Sequence, residues 1–183
     1  MRVAISGTHC CGKSTLIDAF LSSHDEYIHE PEPYEVLYDL HGEGFGAEPS
    51  AEDFLRQLEY QVERLRQYGA GDRMIFERSP ADFLAYMFAL DDMGRDGADA
   101  RLAKQSIALA ASGLALLDLI AYLPEIGEVP EAEDPELRKV VDARLQSILL
   151  DDDFGLLTAD RPSIIELVGT TTQRLRSLEA ALR

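Results

Sequence analysis

Near the start of the chain, the run Gly7-Thr8-His9-Cys10-Cys11-Gly12-Lys13-Ser14 fits the pattern G-x-x-x-x-G-K-[ST] without a mismatch. Each fixed position has a mechanical task. Gly7 and Gly12 permit backbone angles that a side chain would forbid, so successive N–H groups turn inward and form an anion site with the N-terminus of a following helix. Lys13 adds a positive charge on the β- and γ-phosphates, and Ser14 offers a hydroxyl to Mg²⁺. Thr15 is a further phosphate donor, while Thr8, His9, Cys10 and Cys11 occupy the variable positions whose backbone lines the cradle. Val3-Ala4-Ile5 precedes the run and Leu16–Leu21 follows it, which is the strand–loop–helix setting a phosphate-binding loop requires. The expected chemistry is binding of a nucleoside triphosphate with Mg²⁺. The loop by itself does not choose ATP over GTP.

Moving a phosphoryl group to a hydroxyl needs more: a carboxylate to accept the hydroxyl proton, a holder for Mg²⁺, and cations on the moving phosphate. Glu30-Pro31-Glu32-Pro33 stands at the end of a short expected strand, Tyr27–Glu30, and either Glu30 or Glu32 could be the base. Glu77-Arg78-Ser79 follows Met74-Ile75-Phe76. Glu77 stands where such a fold keeps its magnesium-shell acid, and Arg78 either reaches phosphate or pairs with Glu77. Residues 51–68 read as an amphipathic helix with Leu55, Leu58, Val62 and Leu65 on the apolar arc. Gln57, Tyr60, Gln61 and Arg64 recur at i, i+3, i+4 and i+7 on another face, either as a solvated surface or as the wall of an acceptor pocket.

The elements that must carry these groups alternate between strand and helix, which argues for an α/β domain with a parallel sheet covered by helices. Five strands are expected near 2–6, 27–30, 73–77, 117–123 and 163–168. Helices are expected over about 13–22, 34–40, 51–68, 80–89, 98–114, 135–150 and 170–182. Ser79, Pro80 and Asp82 form a helix-start pattern. In a sheet of this kind ligands sit outside the carboxyl ends of the strands, where Gly7, Glu30, Glu77 and Gly169 fall.

With 183 residues, one domain is expected over 1–183, and 46% apolar content is ordinary for a globular chain. No apolar run approaches the roughly 20 residues of a membrane span, and the reading is cytoplasmic. The 34 acidic against 17 basic residues give a net charge of −17, which repels nucleic-acid polymers and anionic lipid. The two cysteines are adjacent in the loop, so a disulfide framework is excluded.

Taken in order, these segments resemble the deoxynucleoside kinases, within the nucleoside and nucleotide kinases of the P-loop superfamily. The resemblance spans roughly residues 1–90: Gly7–Ser14, Glu30-Pro31, Gln57 with Arg64 seven residues on, and Glu77-Arg78-Ser79. It implies a three-layer P-loop NTPase fold with ATP and Mg²⁺ as cofactors and a nucleoside-like small-molecule acceptor. It also implies Glu30 as general base with Glu32 as substitute, Lys13 and Arg78 at the phosphates, Ser14 and Glu77 at the metal, and Gln57, Tyr60 and Arg64 at the acceptor. Related kinases pair through helices matching 51–68 and 79–89, so a homodimer is a further expectation. A looser group of small P-loop proteins, called AAA-type ATPases and similar to nicotinamide riboside and thymidylate kinases, shares Arg78-Ser79-Pro80-x-Asp82 and Leu123-Pro124. In both groups the loop after the last strand borders adenine, which marks Gly169, Thr170 and Thr171. The chain departs from the first group in its lid-like segment near 124–150. Glu125–Asp134 contains neither Lys nor Arg, and the nearest cations are Arg138 and Lys139, with Arg144 beyond. That departure favours a rival reading, a regulatory or switch ATPase acting on a protein partner.

Overall fold

Arg2–Gly7 (β1) and Leu119–Leu123 (β4) are buried at every position, the mark of strands covered on both faces. The computed structural model describes residues 1–41, 49–125, 134–157 and 162–182. The other elements are α1 (Lys13–Leu21), β2 (Ile28–Glu30), α2 (Pro33–His41), α3 (Ala51–Gln67), β3 (Met74–Glu77), α4 (Pro80–Asp92), α5 (Ala100–Leu114), α6 (Pro135–Leu149), β5 (Ser163–Glu166) and α7 (Thr171–Ala181).

All five strands pair in parallel in the order β2-β3-β1-β4-β5. β1 lies at the centre, with Ile5 opposite Glu77 of β3 and Ala121 of β4. Alternate residues of β1 serve opposite faces. Val3 and Ile5 join Leu16, Ile17 and Phe20 of α1 and Leu178 of α7 in one core cluster. Ala4 joins Phe76, Tyr122 and the apolar faces of α3, α4, α5 and α6 in the other. The result is the expected three-layer α/β arrangement with a five-stranded parallel sheet. From β1 the chain runs to β2 on one side, and from β3 it crosses back past β1 to β4 on the other, which opens a crevice at the carboxyl ends of the central strands.

Several boundaries differ from the sequence reading, and two of them have a clear physical reason. α4 continues past Ala89 to Asp92, because Leu90 is still fully buried and the helix closes on Met93. β4 starts at Leu119 and not near 117, because the Leu116 and Leu117 N–H groups donate to Gly113 and Leu114 and finish the turn out of α5. The lid-like segment expected near 124–150 falls partly outside the described residues, at 126–133. Among the described residues no helix is long and apolar enough to cross a membrane.

α4 is buried on nearly every side, and α5 crosses above its start. Gly113 marks the closest approach: a Cβ there would stand 2.7 Å from Val62 Cγ2 and 2.8 Å from Pro80 Cγ. Neither neighbour is a flexible side-chain end. Gly113→Ala is expected to lower the unfolding free energy by about 1–3 kcal/mol through overpacking, although alanine is the better helix former by about 1 kcal/mol. A urea midpoint at or above that of the native chain would show that the contact yields without cost.

Candidate active site

The loop between β1 and α1 turns on Gly7 (φ +152°) and Gly12 (φ +93°), and Cys10 also takes a left-handed angle (φ +59°). The C=O and N–H of one trans peptide point opposite ways, so turning N–H groups inward turns carbonyls outward. Four positive side chains meet those carbonyls. Arg78 Nη1 donates to Gly7 O at 3.3 Å, Lys13 Nζ to Thr8 O at 3.0 Å, Arg138 Nε to His9 O at 2.9 Å, and Arg174 Nη1 to Cys11 O at 2.9 Å. Gly12 is needed for more than its angle, since a Cβ there would press on Arg174 Nη1 at 3.3 Å. Gly12 also caps α1 with no side chain accepting from the first turn, which leaves the helix N-terminus free for an anion.

The entry to the loop is fixed by a carboxylate. Asp82 is wholly buried. Its Oδ1 accepts from Gly7 N at 2.9 Å, and its Oδ2 from Ser6 Oγ at 2.6 Å, Ser79 N at 2.8 Å and Ser79 Oγ at 2.9 Å. Asp82 thus ties the end of β1 to the start of α4. Between them Arg78 adopts φ +73°, a conformation costly for a long side chain and found where surrounding structure holds it. Its N–H donates to Ile5 O, its carbonyl accepts from Gln61 Nε2 at 2.6 Å, and its guanidinium lies 5.1 Å from the Tyr86 ring centre. Tyr86 Oη in turn accepts from His9 N at 3.1 Å.

The glutamates near the loop have different surroundings. Glu77 Oε1 accepts from Ser14 Oγ at 2.9 Å, so the two residues expected at the metal are neighbours. Among the described residues no group of three His, Cys, Asp or Glu side chains forms a self-sufficient metal cage. A hydroxyl and one carboxylate suit Mg²⁺, which keeps several waters and takes its remaining oxygens from phosphate. Thr8 Oγ1, buried without a hydrogen-bond partner among the described residues, is a further polar atom at the loop. Glu32 Oε1 accepts from Arg78 Nε at 2.5 Å. Burial pushes the Glu32 carboxyl up, but Arg78 and Lys13 outweigh it and hold the group below its ordinary value. Burial, with Glu77 and Glu32 nearby, raises the Glu35 carboxyl instead.

Glu30 is differently engaged. Oε1 accepts from Arg64 Nε at 2.7 Å, and Oε2 accepts from Arg64 Nη2 at 3.0 Å and Tyr68 Oη at 2.7 Å. Hydrogen bonding to Glu30 raises the Arg64 guanidinium still further. Both oxygens are therefore taken by α3 and the residue after it. The stripe on α3 divides accordingly. Arg64 holds Glu30, and Gln61 is buried against Arg78. Half-buried Tyr60 lies close enough to Glu30 and Arg64 for their charges to act on its hydroxyl. Gln57 is not brought to this group, since its Nε2 faces Asp53 O in its own helix at 3.4 Å.

Gly169 and Thr170 lie at the start of α7, where Thr170 and Gln173 cap each other. Their helix reaches the loop through Arg174. Cys10 is exposed and Cys11 half-buried, both with free thiols, and burial pushes the Cys11 thiol up. Of the cations flagged beyond the acidic stretch, Arg144 pairs with Asp92, Lys139 is exposed, and Arg138 points to the loop. Asp82 was legible as a helix cap, but nothing in the sequence marked it as the partner of Ser6 and Gly7. Arg174 carried no signal at all.

The chain shares its fold with solved nucleotide-handling proteins. A deoxyadenosine kinase from M. mycoides, solved with dCMP and dCDP, superposes with a TM-score of 0.68 at 17% identity over 100% of this chain and 98% of that one. Thymidylate kinase from Candida albicans gives 0.66 at 16% identity over 98% and 89%. The NadR protein in complex with NAD and AMP-PNP gives 0.66 at 19% identity, covering 98% of this chain and 48% of NadR. At such identities the likeness is one of fold. No curated protein sequence matches the chain. The sequence profile of the AAA domain does match, over residues 2–160, and the chain therefore belongs to the AAA domain family of P-loop proteins.

Proposed function

We propose that the chain is a kinase that transfers the γ-phosphate of ATP to a hydroxyl of a nucleoside-like small molecule. One observation carries the reading: Glu32 is held ionised by Arg78 and Lys13 at the mouth of the phosphate loop. A carboxylate at the phosphate loop can take the proton of an acceptor hydroxyl, which phosphoryl transfer calls for. The names of the fold relatives, deoxyadenosine kinase and thymidylate kinase, support the same substrate class.

The loop N–H groups, Lys13 and Arg78 hold phosphate, and Ser14 and Glu77 serve the magnesium ion. A Mg²⁺ held by these two residues would neutralise charge on the phosphates. The acceptor oxygen forms a bond to the γ-phosphorus as the bond to the β–γ bridging oxygen breaks, and that electron pair leaves with ADP. Glu32 takes the hydroxyl proton. A lowered pKa suits this duty, because proton transfer lags in a loose transition state and the base chiefly orients the hydroxyl. Glu30 is the substitute; its saturated carboxylate supports it instead as the anchor that positions Arg64, beside Tyr60, on the acceptor side. Gly169 and Thr170 border the adenine. The working unit is one domain over 1–183 with 124–150 as its lid-like part, acting in the cytoplasm, with a homodimer through α3 and α4 as the assembly.

Glu32→Gln is expected to bind Mg·ATP as the native chain does and to lose about 10²-fold or more in turnover, read as ADP release with a panel of nucleosides, nucleotides and nicotinamide riboside. In the native chain Arg78 also pairs with Asp82 at 3.7 Å, an anion the variant retains, and the thermal midpoint of the variant checks its folding. Native-like turnover would remove Glu32 from the role. Glu30→Gln should act mainly on stability, by about 1–3 kcal/mol for lost hydrogen bonds to a charged group; a turnover loss matching that of Glu32→Gln would return the base to Glu30. Lys13→Ala should raise the Kd for Mg·ATP by about tenfold or more, and unchanged binding would end the phosphate-loop reading. A flat acceptor panel with intact nucleotide binding would select the regulatory ATPase.

A further inference from the structure

Between the end of β3 and the start of α4, Arg78 stands at φ +73°. That angle is strained for a long side chain and persists only where neighbours impose it. Both flanking peptides are pinned. The Arg78 N–H donates to Ile5 O at 3.0 Å, which fixes the peptide before it. The peptide after it is gripped at both ends: the Ser79 N–H donates to Asp82 Oδ2 at 2.8 Å, and the Arg78 carbonyl accepts from Gln61 Nε2 at 2.6 Å. A planar unit held at its N–H and its C=O has little rotation left. Ile5 lies on the neighbouring strand β1 and Asp82 in the first turn of α4, whereas Gln61 reaches in from α3.

The geometry points to Gln61 as a positioning residue that acts through Arg78: by holding the Arg78 carbonyl it aims the guanidinium at Glu32, and so sets where the Glu32 carboxylate stands beside the phosphate loop. The inference rests on the place of Glu32 in the proposed function. The guanidinium is 5% exposed, with Nε on Glu32 Oε1 at 2.5 Å and Nη1 on Gly7 O at 3.3 Å. It lies at the far end of a long side chain, so a small turn at the Arg78 backbone displaces it by more than a hydrogen bond tolerates.

The make-up of Gln61 fits this duty better than packing does. It is 2% exposed, and its Oε1 is buried without a hydrogen-bond partner among the described residues. Turning the amide over would set that oxygen against the Arg78 oxygen, so the carbonyl dictates which way the amide faces. A side chain that served packing alone would be apolar at this position and would leave no orphaned oxygen. Arg64 stands three residues further along α3 and grips Glu30. Positions i and i+3 share a helix face, so one face of α3 registers both carboxylates of the Glu-Pro repeat: Glu30 directly, and Glu32 through Arg78.

The native chain, Gln61→Met, Glu32→Gln and the double variant are compared by two readouts. Gln61→Met keeps the length of the side chain and removes the donor. In ¹⁵N-resolved proton spectra the Arg78 Nε–H, identified by its loss in Arg78→Lys, should shift and exchange faster with water in Gln61→Met, as in Glu32→Gln, because the guanidinium has lost its carboxylate. In ADP release with the best acceptor of the panel, Gln61→Met should lower kcat about tenfold or more through misplacement of the base. The double variant should lose much less than the two single losses combined, since both act on one unit. An unmoved Arg78 Nε–H signal in Gln61→Met overturns the inference, whatever the turnover. Single losses that combine in full show that Gln61 acts by another route, and overturn it as well. Should Gln61→Met fail to fold, Gln61→Asn, whose shorter side chain withdraws the amide, is judged by the same two readouts. The two readings fail separately. A displaced Arg78 signal in a chain whose Glu32→Gln variant turns over normally keeps the hold of Gln61 on Arg78 and removes Glu32 as base. An unmoved signal in a chain that needs Glu32 does the reverse.

Discussion

Everything at this site depends on a geometric debt of the phosphate loop. A backbone that turns its N–H groups toward an anion must turn its carbonyls away from it, and buried carbonyls need donors. The loop meets this with Arg78 from the β3–α4 corner, Lys13 from α1, Arg138 from α6 and Arg174 from α7. Each charge thereby stabilises the outer face of the loop and raises the positive potential on its inner face. A chain of net charge −17 could not otherwise receive a polyanion, and the local concentration of cations reverses the global field where it matters.

The two carboxylates of Glu30-Pro31-Glu32 illustrate how position and not residue type sets a role. They are two residues apart, yet one faces α3 and the other the loop. Glu30 accepts three hydrogen bonds and locks β2 against Arg64 and Tyr68. Glu32 accepts from Arg78 and sits in the field of Lys13. The prolines on either side of Glu32 restrict its backbone, so the anchor at Glu30 also limits where Glu32 can stand.

The fold was legible because its signals are periodic and local: buried runs at β1 and β4, the amphipathic arc of α3, and the cap pattern at Ser79. The loop was legible because its motif spacing is fixed, and the stripe on α3 because helical period puts its residues on one face, though not how they divide. The choice between Glu30 and Glu32 was not, because both lie in one Glu-Pro repeat and only the tertiary partners of each distinguish them. Arg174 and Asp82 were illegible for a related reason. Their partners lie 163 and 75 residues away in the chain, and no local pattern announces a contact of that span. Gln57 shows the converse: helical spacing placed it on the stripe, but it is buried with its amide turned to its own backbone.

The Arg174–Cys11 contact also sets an order of events. The loop belongs to the first turn of the sheet, whereas Arg174 stands on the last helix, so the loop's outer face is finished only once α7 has docked beside α1. Contacts of such sequence separation form late in folding, after the loop-closure entropy of the intervening chain has been met. A chain emerging in sequence order can therefore assemble the central strands and still hold an unfinished phosphate cradle. Competence to take nucleotide arrives with the completion of the fold, and a partly folded chain draws little from the nucleotide around it.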